Sequence, residues 1–172
     1  MSSTRVRFFD LPLDLLDMPE TVAAIEAAVE RGQPGAHLGL NAANMVAARD
    51  DRAYSDDLAA ADLVTADGQS VVWGARMYGH AVPERVTGID LMGALIDAAR
   101  RHDWGVYLVG AREDVVDALA ERLTEDGIRI VGWRDGYFGL DAATEVASAV
   151  KGSGATLLFV GMPSPAKERF II

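Results

Sequence analysis

Apolar residues alternate between two spacings along this chain. Met18, Val22, Ile25 and Val29 recur at helical spacing, with Glu20, Glu26 and Glu30 opposite them, and Gly32 closes the segment. His37 to Leu40 then reads as a short strand, running into Asn41 and a small-residue helix through Met45 and Val46. Leu63 to Thr65 predicts another strand, broken by Asp67-Gly68, and Val71 to Tyr78 a helix. Ile89 to Arg101 places Leu91, Leu95 and Ala99 on one helical face, with Asp90 in the first turn, where a carboxylate suits the helix dipole.

The clearest unit follows. Val106-Tyr107-Leu108-Val109 is a continuous apolar run, the pattern of a strand covered on both faces, and Gly110-Ala111-Arg112 is a tight loop after it. From Glu113 the pattern turns helical, with Val116, Leu119 and Leu123 inward. Ile128 to Trp133 reads as a strand, Asp135 to Gly139 as a loop and Ala142 to Lys151 as a helix. Thr156 to Val160 is the last buried strand, and Gly161 to Pro165 the loop beyond it. Strands alternating with helices predict an α/β fold: a largely parallel, Rossmann-like sheet with helices on both faces and right-handed crossovers. At 172 residues, with no linker or repeat, one domain spanning 1–172 is expected.

Composition removes several classes of function. The chain has no cysteine, so disulfides, thiolate catalysis and sulfur-bound zinc are absent. A formal charge of −10, with 16 scattered basic residues, argues against nucleic acid as a partner. A small anion remains compatible, because it needs only a helix N-terminus or a local cation. No apolar run reaches the roughly 18 residues of a membrane span, and the first ten residues do not resemble a signal peptide, which makes the cytoplasm the expected compartment.

Familiar motifs fail as well. Gly152-Ser153-Gly154 precedes a strand where a dinucleotide fingerprint would follow one, which disfavours a nucleotide-dependent oxidoreductase. The only lysines, Lys151 and Lys167, leave no phosphate loop of the Gly-Lys-Ser/Thr kind. His37, His80 and His102 are dispersed, and no Gly-x-Ser-x-Gly elbow occurs.

What survives is a set of polar and glycine residues at four strand ends: Asn41, Asp67-Gly68, Gly110-Ala111-Arg112 and Gly161 to Pro165, joined by Arg85-Val86-Thr87-Gly88. Ligands of parallel sheets sit beyond the C-terminal ends of the strands, and neighbouring strands would bring these loops into one crevice. Each residue taken alone also fits a simple turn. Asp67 admits two readings. Lodged between an apolar strand and a helix, a partly desolvated carboxylate is suited to general-base work; equally, it could cap the helix that starts near Ser70.

These segments resemble the WecG/TagA/CpsF bacterial glycosyltransferases. The resemblance runs from about Arg5 to the last residue, through Leu40-Asn41-Ala42-Ala43-Asn44-Met45-Val46, Ala61-Asp62-Leu63-Val64-Thr65-Ala66-Asp67-Gly68 and Glu84-Arg85-Val86-Thr87-Gly88-Ile89-Asp90-Leu91. It continues in Gly132-Trp133-Arg134-Asp135-Gly136-Tyr137-Phe138 and Gly161-Met162-Pro163-Ser164-Pro165-Ala166-Lys167-Glu168. The resemblance implies an inverting transfer of N-acetylmannosamine or a related hexose from a UDP-sugar to a polyprenyl-diphosphate-linked acceptor in cell-envelope polysaccharide synthesis. A nucleotide-sugar-binding module without catalysis is the alternative. The resemblance assigns Asp67 as general base and places Asn41, Gly68, Arg85, Tyr137, Gly161, Ser164 and Lys167 with the substrates, and the strand-end loop at Gly110 is a further candidate for stabilising the charge of the leaving UDP. It implies neither cofactor nor metal, in keeping with the lack of any Asp-x-Asp pair.

Three departures stand out. The family usually carries threonine where this chain has Gly39, and a common Pro-Lys-Gln-Glu is Pro165-Ala166-Lys167-Glu168 here. Members usually continue for several tens of residues past this motif, into a segment with arginines implicated in membrane association. The resemblance therefore ties peripheral contact with the inner face of the membrane to that segment. The apolar end Phe170-Ile171-Ile172 is in addition an argument for a homo-oligomer.

Overall fold

The computed structural model describes residues 5–172. Two strands that periodicity did not predict come first: β1 (Arg5–Phe8) and β2 (Leu11–Asp14), an antiparallel hairpin turning through Phe9 and Asp10, both at positive φ. β2 is nearly all buried, although it contains Pro12 and ends on a carboxylate. The carboxylate of Asp14, 2% exposed, takes two hydrogen bonds from Arg5, to Oδ1 at 3.0 Å and Oδ2 at 2.7 Å. Asp14 Oδ2 also accepts from Val64 N at 2.7 Å, while Arg5 donates to the carbonyls of Ala61 and Asp62. The pair thus ties the hairpin to the start of β4 (Leu63–Ala66). The Asp14 carboxylate beside it raises the pKa of the Arg5 guanidinium, against partial burial that lowers it.

Helix α1 (Met18–Glu30) starts in a reciprocal cap: Asp17 accepts from Glu20 N, and the Glu20 carboxylate accepts from Asp17 N. It ends where Gly32 takes φ +63°. β3 (His37–Leu40) pairs in parallel with β4, from His37 opposite Leu63 to Leu40 opposite Ala66. Between them lie α2 (Ala42–Asp50) and a second unpredicted element, α3 (Arg52–Ala60), capped by Asp51 and buried through Tyr54 and Leu58. α4 (Gln69–Met77) follows β4 directly, and α5 (Gly88–His102) buries Leu91, Leu95, Ala98 and Ala99, the face its periodicity predicts.

In the later part of the chain, β5 (Val106–Gly110) is the middle strand of a parallel sheet ordered β6-β5-β7. Every residue of β5 is buried, which requires cover on both faces. α6 (Glu113–Glu125) buries Val116, Ala120 and Leu123; Leu119, assigned inward on its apolar character, is 38% exposed, because spacings of four and three from Val116 reach Ala120 and Leu123. β6 (Ile130–Arg134) begins two residues later than the sequence suggests. Ile128 is buried ahead of it, and its carbonyl accepts from Ile130 N. α7 (Leu140–Gly152), β7 (Leu157–Gly161) and α8 (Ala166–Ile171) complete the chain.

The fold is α/β with parallel strands and Rossmann-like alternation. Its residues group into two units, one running up to Met92 with Ile171 and Ile172, the other from Gly93 to Phe170. Leu13, Leu38, Leu40, Tyr54, Leu58, Val64, Val71 and Val72 form the core of the first, onto which Ile171 packs. Tyr107, Val109 and Val146 are at the core of the second, with Phe138 and Phe170 packed edge to face at 5.4 Å. No helix among the described residues is long and apolar enough to cross a membrane.

Candidate functional site

Two of the nominated loops meet at the C-terminal ends of β3 and β4. The Leu40 carbonyl accepts from both Asp67 N, at 2.9 Å, and Gly68 N, at 3.2 Å, which ties the two strand ends together. A Cβ at Gly68 would lie 3.0 Å from Asn41 Cβ and 3.2 Å from its Cα, so glycine is what permits this approach. Asn41 is the N-cap of α2. Its side chain accepts from Asn44 N at 3.0 Å, and Asn44 Oδ1 accepts from Asn41 N at 3.1 Å. The carbonyl oxygen of Asn41 is therefore committed to the cap, and its amide group has no hydrogen-bond partner among the described residues. Asn44 is buried and donates in turn to the Tyr54 hydroxyl.

Asp67 is half-buried and does not cap the helix after it. The N-cap of α4 is Gly68, with no side-chain hydrogen bond. Asp67 Oδ1 reaches 21 residues along the chain to accept from Gly88 N at 3.3 Å. Gly88 opens α5, so the amide end of that helix faces the carboxylate, the favourable sense for a helix dipole. The turn before it is fixed by Thr87, whose hydroxyl donates to Asp90 Oδ2 at 2.6 Å and accepts from Asp90 N. Val86 N donates to the Ala66 carbonyl at 2.9 Å, which brings the 84–88 segment to the end of β4. Arg85, the residue before, is exposed, and no ion pair or hydrogen bond among the described residues holds its guanidinium. Asp67 Oδ2 likewise has no partner among them. The result is a carboxylate anchored through one oxygen and without a hydrogen-bond partner at the other, at the strand end to which Val86, the neighbour of Arg85, is tied.

In the second unit, three strand ends converge backbone on backbone. Gly110 has φ +140°, and a Cβ there would stand 2.6 Å from Gly161 C and Cα. Ala111 N donates to the Gly161 carbonyl at 3.2 Å, and Gly136 N to the Ala111 carbonyl at 2.9 Å. Gly136 in turn leaves room for Gly110 Cα, 2.9 Å from where its own Cβ would sit. Gly110 is thus a packing glycine of the loops that the sequence nominated, whereas a Cβ at Gly161 would meet only ordinary contacts at 3.9 Å. Tyr137 is 79% exposed, and its N–H is held in a turn by Asp135 Oδ1 at 2.8 Å.

The segment after β7 places Ser164 and Lys167 around one carboxylate. Ser164 Oγ donates to Glu168 Oε1 at 2.7 Å, and Lys167 Nζ stands 3.3 Å from the same oxygen. Glu168 is 1% exposed, a burial the sequence reading missed, because a charged residue between Lys167 and Arg169 reads as a solvated face. Among the described residues no three His, Asp or Glu side chains group to hold a metal ion.

The first unit thus presents a carboxylate able to accept a proton, and the second a cation, Lys167, and loop backbones packed closely on one another. Both lie at the C-terminal ends of parallel strands, where α/β proteins bind ligands. Residues 6–172 match the model of the glycosyl transferase WecG/TagA/CpsF family, and the chain belongs to that family of glycosyltransferases.

Proposed function

We propose that the chain transfers a hexose, N-acetylmannosamine or a related sugar, from a UDP-sugar to a polyprenyl-diphosphate-linked acceptor with inversion at the anomeric carbon. Family membership supports a glycosyltransferase of cell-wall polysaccharide synthesis, with a nucleotide-sugar donor and a lipid-linked acceptor in general terms. The observation that carries the finer reading is Asp67, held by Gly88 N through Oδ1 and open at Oδ2.

Asp67 Oδ2 takes the proton of the acceptor hydroxyl while that oxygen attacks the anomeric carbon from the face opposite UDP. A bond forms between the acceptor oxygen and the sugar. The bond from the sugar to the β-phosphate oxygen breaks, and UDP leaves with the electron pair. One displacement inverts the configuration. Cations and backbone amides stabilise the charge that develops on UDP, and Arg85, Lys167 and the Gly110 loop are the groups of this chain suited to that task. The reaction runs without a divalent metal at the cytoplasmic face of the membrane.

The test is transfer from UDP-hexosamines to short polyprenyl-diphosphate acceptors, with UDP binding measured alongside. Asp67→Asn should lower transfer by about 10²- to 10⁴-fold, the usual scale of general-base catalysis, with UDP affinity kept. Chelator should leave the rate unchanged. An Asp67→Asn protein that still folds but no longer binds UDP would make Asp67 a binding group and refute the base assignment. UDP binding by the wild type with no transfer to any such acceptor would favour a nucleotide-sugar-binding module.

A further inference from the structure

Glu168 is a buried carboxylate to which the reaction above gives no task. It is 1% exposed, its Oε1 serves both Ser164 Oγ and Lys167 Nζ, and its Oε2 has no hydrogen-bond partner among the described residues. A buried charge satisfied on one oxygen only is costly, and a core of apolar residues would be more stable without it. What the carboxylate does is hold two groups. The Lys167 side chain is 27% exposed, so its ammonium is drawn to the buried carboxylate while keeping contact with solvent. An ammonium carries three donors, and one ion pair with Glu168 does not use them all.

We propose that Glu168 is a positioning residue for the donor's diphosphate, acting through Lys167. The assignment rests on the reading of the chain as UDP-sugar-dependent. A lysine on a flexible four-carbon stem is a mobile point charge, and fixing its ammonium beforehand removes an ordering cost from diphosphate binding. The carboxylate has that geometric role, and Ser164 on the same oxygen orients the carboxylate. Lys167 is the group that touches the ligand, and Glu168 does not.

The experiment is a double-mutant cycle read by UDP binding, with a thermal melt of every protein. Lys167→Ala should weaken UDP binding about tenfold, the scale of one charge-assisted hydrogen bond. Glu168→Gln, nearly the same shape, should weaken it about fivefold alone and add less than about twofold in the Lys167→Ala background, since it acts through a side chain already removed. Glu168→Asp keeps the charge and should recover part of the affinity. If the two losses multiply, or if Glu168→Gln lowers the melting temperature with unchanged UDP affinity, Glu168 is a structural group and the proposal fails. The same holds if neither Glu168→Gln nor Glu168→Asp folds, or if Lys167→Ala leaves affinity intact. Failure of the wild type to bind UDP is distinguishable from these, and overturns the UDP-sugar reading together with this assignment.

Discussion

The side chain of Asp67 occupies the space where Gly39, on the neighbouring strand, would carry a Cβ, and only the lack of that atom allows it. An atom at that position would stand 2.8 Å from Asp67 Cβ and 3.3 Å from Cγ. The near atom is the root of the aspartate side chain, so a larger residue cannot be accommodated by rotating the carboxylate tip. The family resemblance puts threonine at this place, and in this chain glycine is matched to the position of Asp67.

Gly39→Ala should therefore displace the carboxylate from Gly88 N and reduce transfer at least about tenfold, while costing about 1–3 kcal/mol of stability for overpacking. Transfer kinetics and denaturant unfolding of the variant check both. Activity equal to wild type would show that Asp67 does not need its anchor on Gly88.

Gly110 tests the second unit in the same way, with a different expected outcome. Its φ of +140° is costly for any residue with a side chain, and a Cβ would collide with the Gly161 backbone, which cannot rotate aside. Gly110→Ala should destabilise by more than about 3 kcal/mol and lower the melting temperature by several degrees or more. A variant that melts like wild type but binds UDP poorly would instead make Gly110 a ligand contact.

Where periodicity is strong, the sequence is a good guide. The buried run at Val106 to Val109 and the α5 stripe of Leu91, Leu95 and Ala99 are legible because burial along them is regular, whereas on α1 the apolar positions Met18, Val22, Ile25 and Val29 are only half-buried and Thr21 is the buried residue. The β1–β2 hairpin is not, because Leu11-Pro12-Leu13-Asp14 carries a proline and a carboxylate, and what makes it a buried strand is Arg5, nine residues earlier. Asp67 was legible as a choice between two roles only. Whether its carboxylate turns back to its own helix or across to Gly88 depends on a contact between distant residues, which no local pattern contains.

Asp14 should be a stability residue with little influence on transfer. Removing it leaves Arg5 partly buried without its carboxylate and Val64 N without an acceptor. A fully buried pair that loses one partner costs about 3–5 kcal/mol; Arg5 retains solvent contact, so Asp14→Ala should cost about 2–3 kcal/mol. Urea unfolding gives the value. A loss under about 0.5 kcal/mol would mean that the hairpin docks without the ion pair.

The same pair makes a prediction about pH. The Asp14 carboxylate raises the Arg5 pKa above its ordinary value. A cation whose folded pKa is raised stabilises fully below its unfolded pKa, and that contribution disappears only as pH rises through the folded value. For Arg5 both values lie at or above the alkaline limit of protein work, so its contribution stays constant from about pH 6 to 9. The difference in unfolding free energy between wild type and Arg5→Met should accordingly be flat across that interval. A Lys in its place starts from about 10.4 unfolded, so Arg5→Lys should match wild type more closely near pH 7 than at the most alkaline pH reached. A difference between wild type and Arg5→Met that grows or shrinks by more than about 1 kcal/mol between pH 6 and 9 would show that a group other than Arg5 and Asp14 titrates with the hairpin.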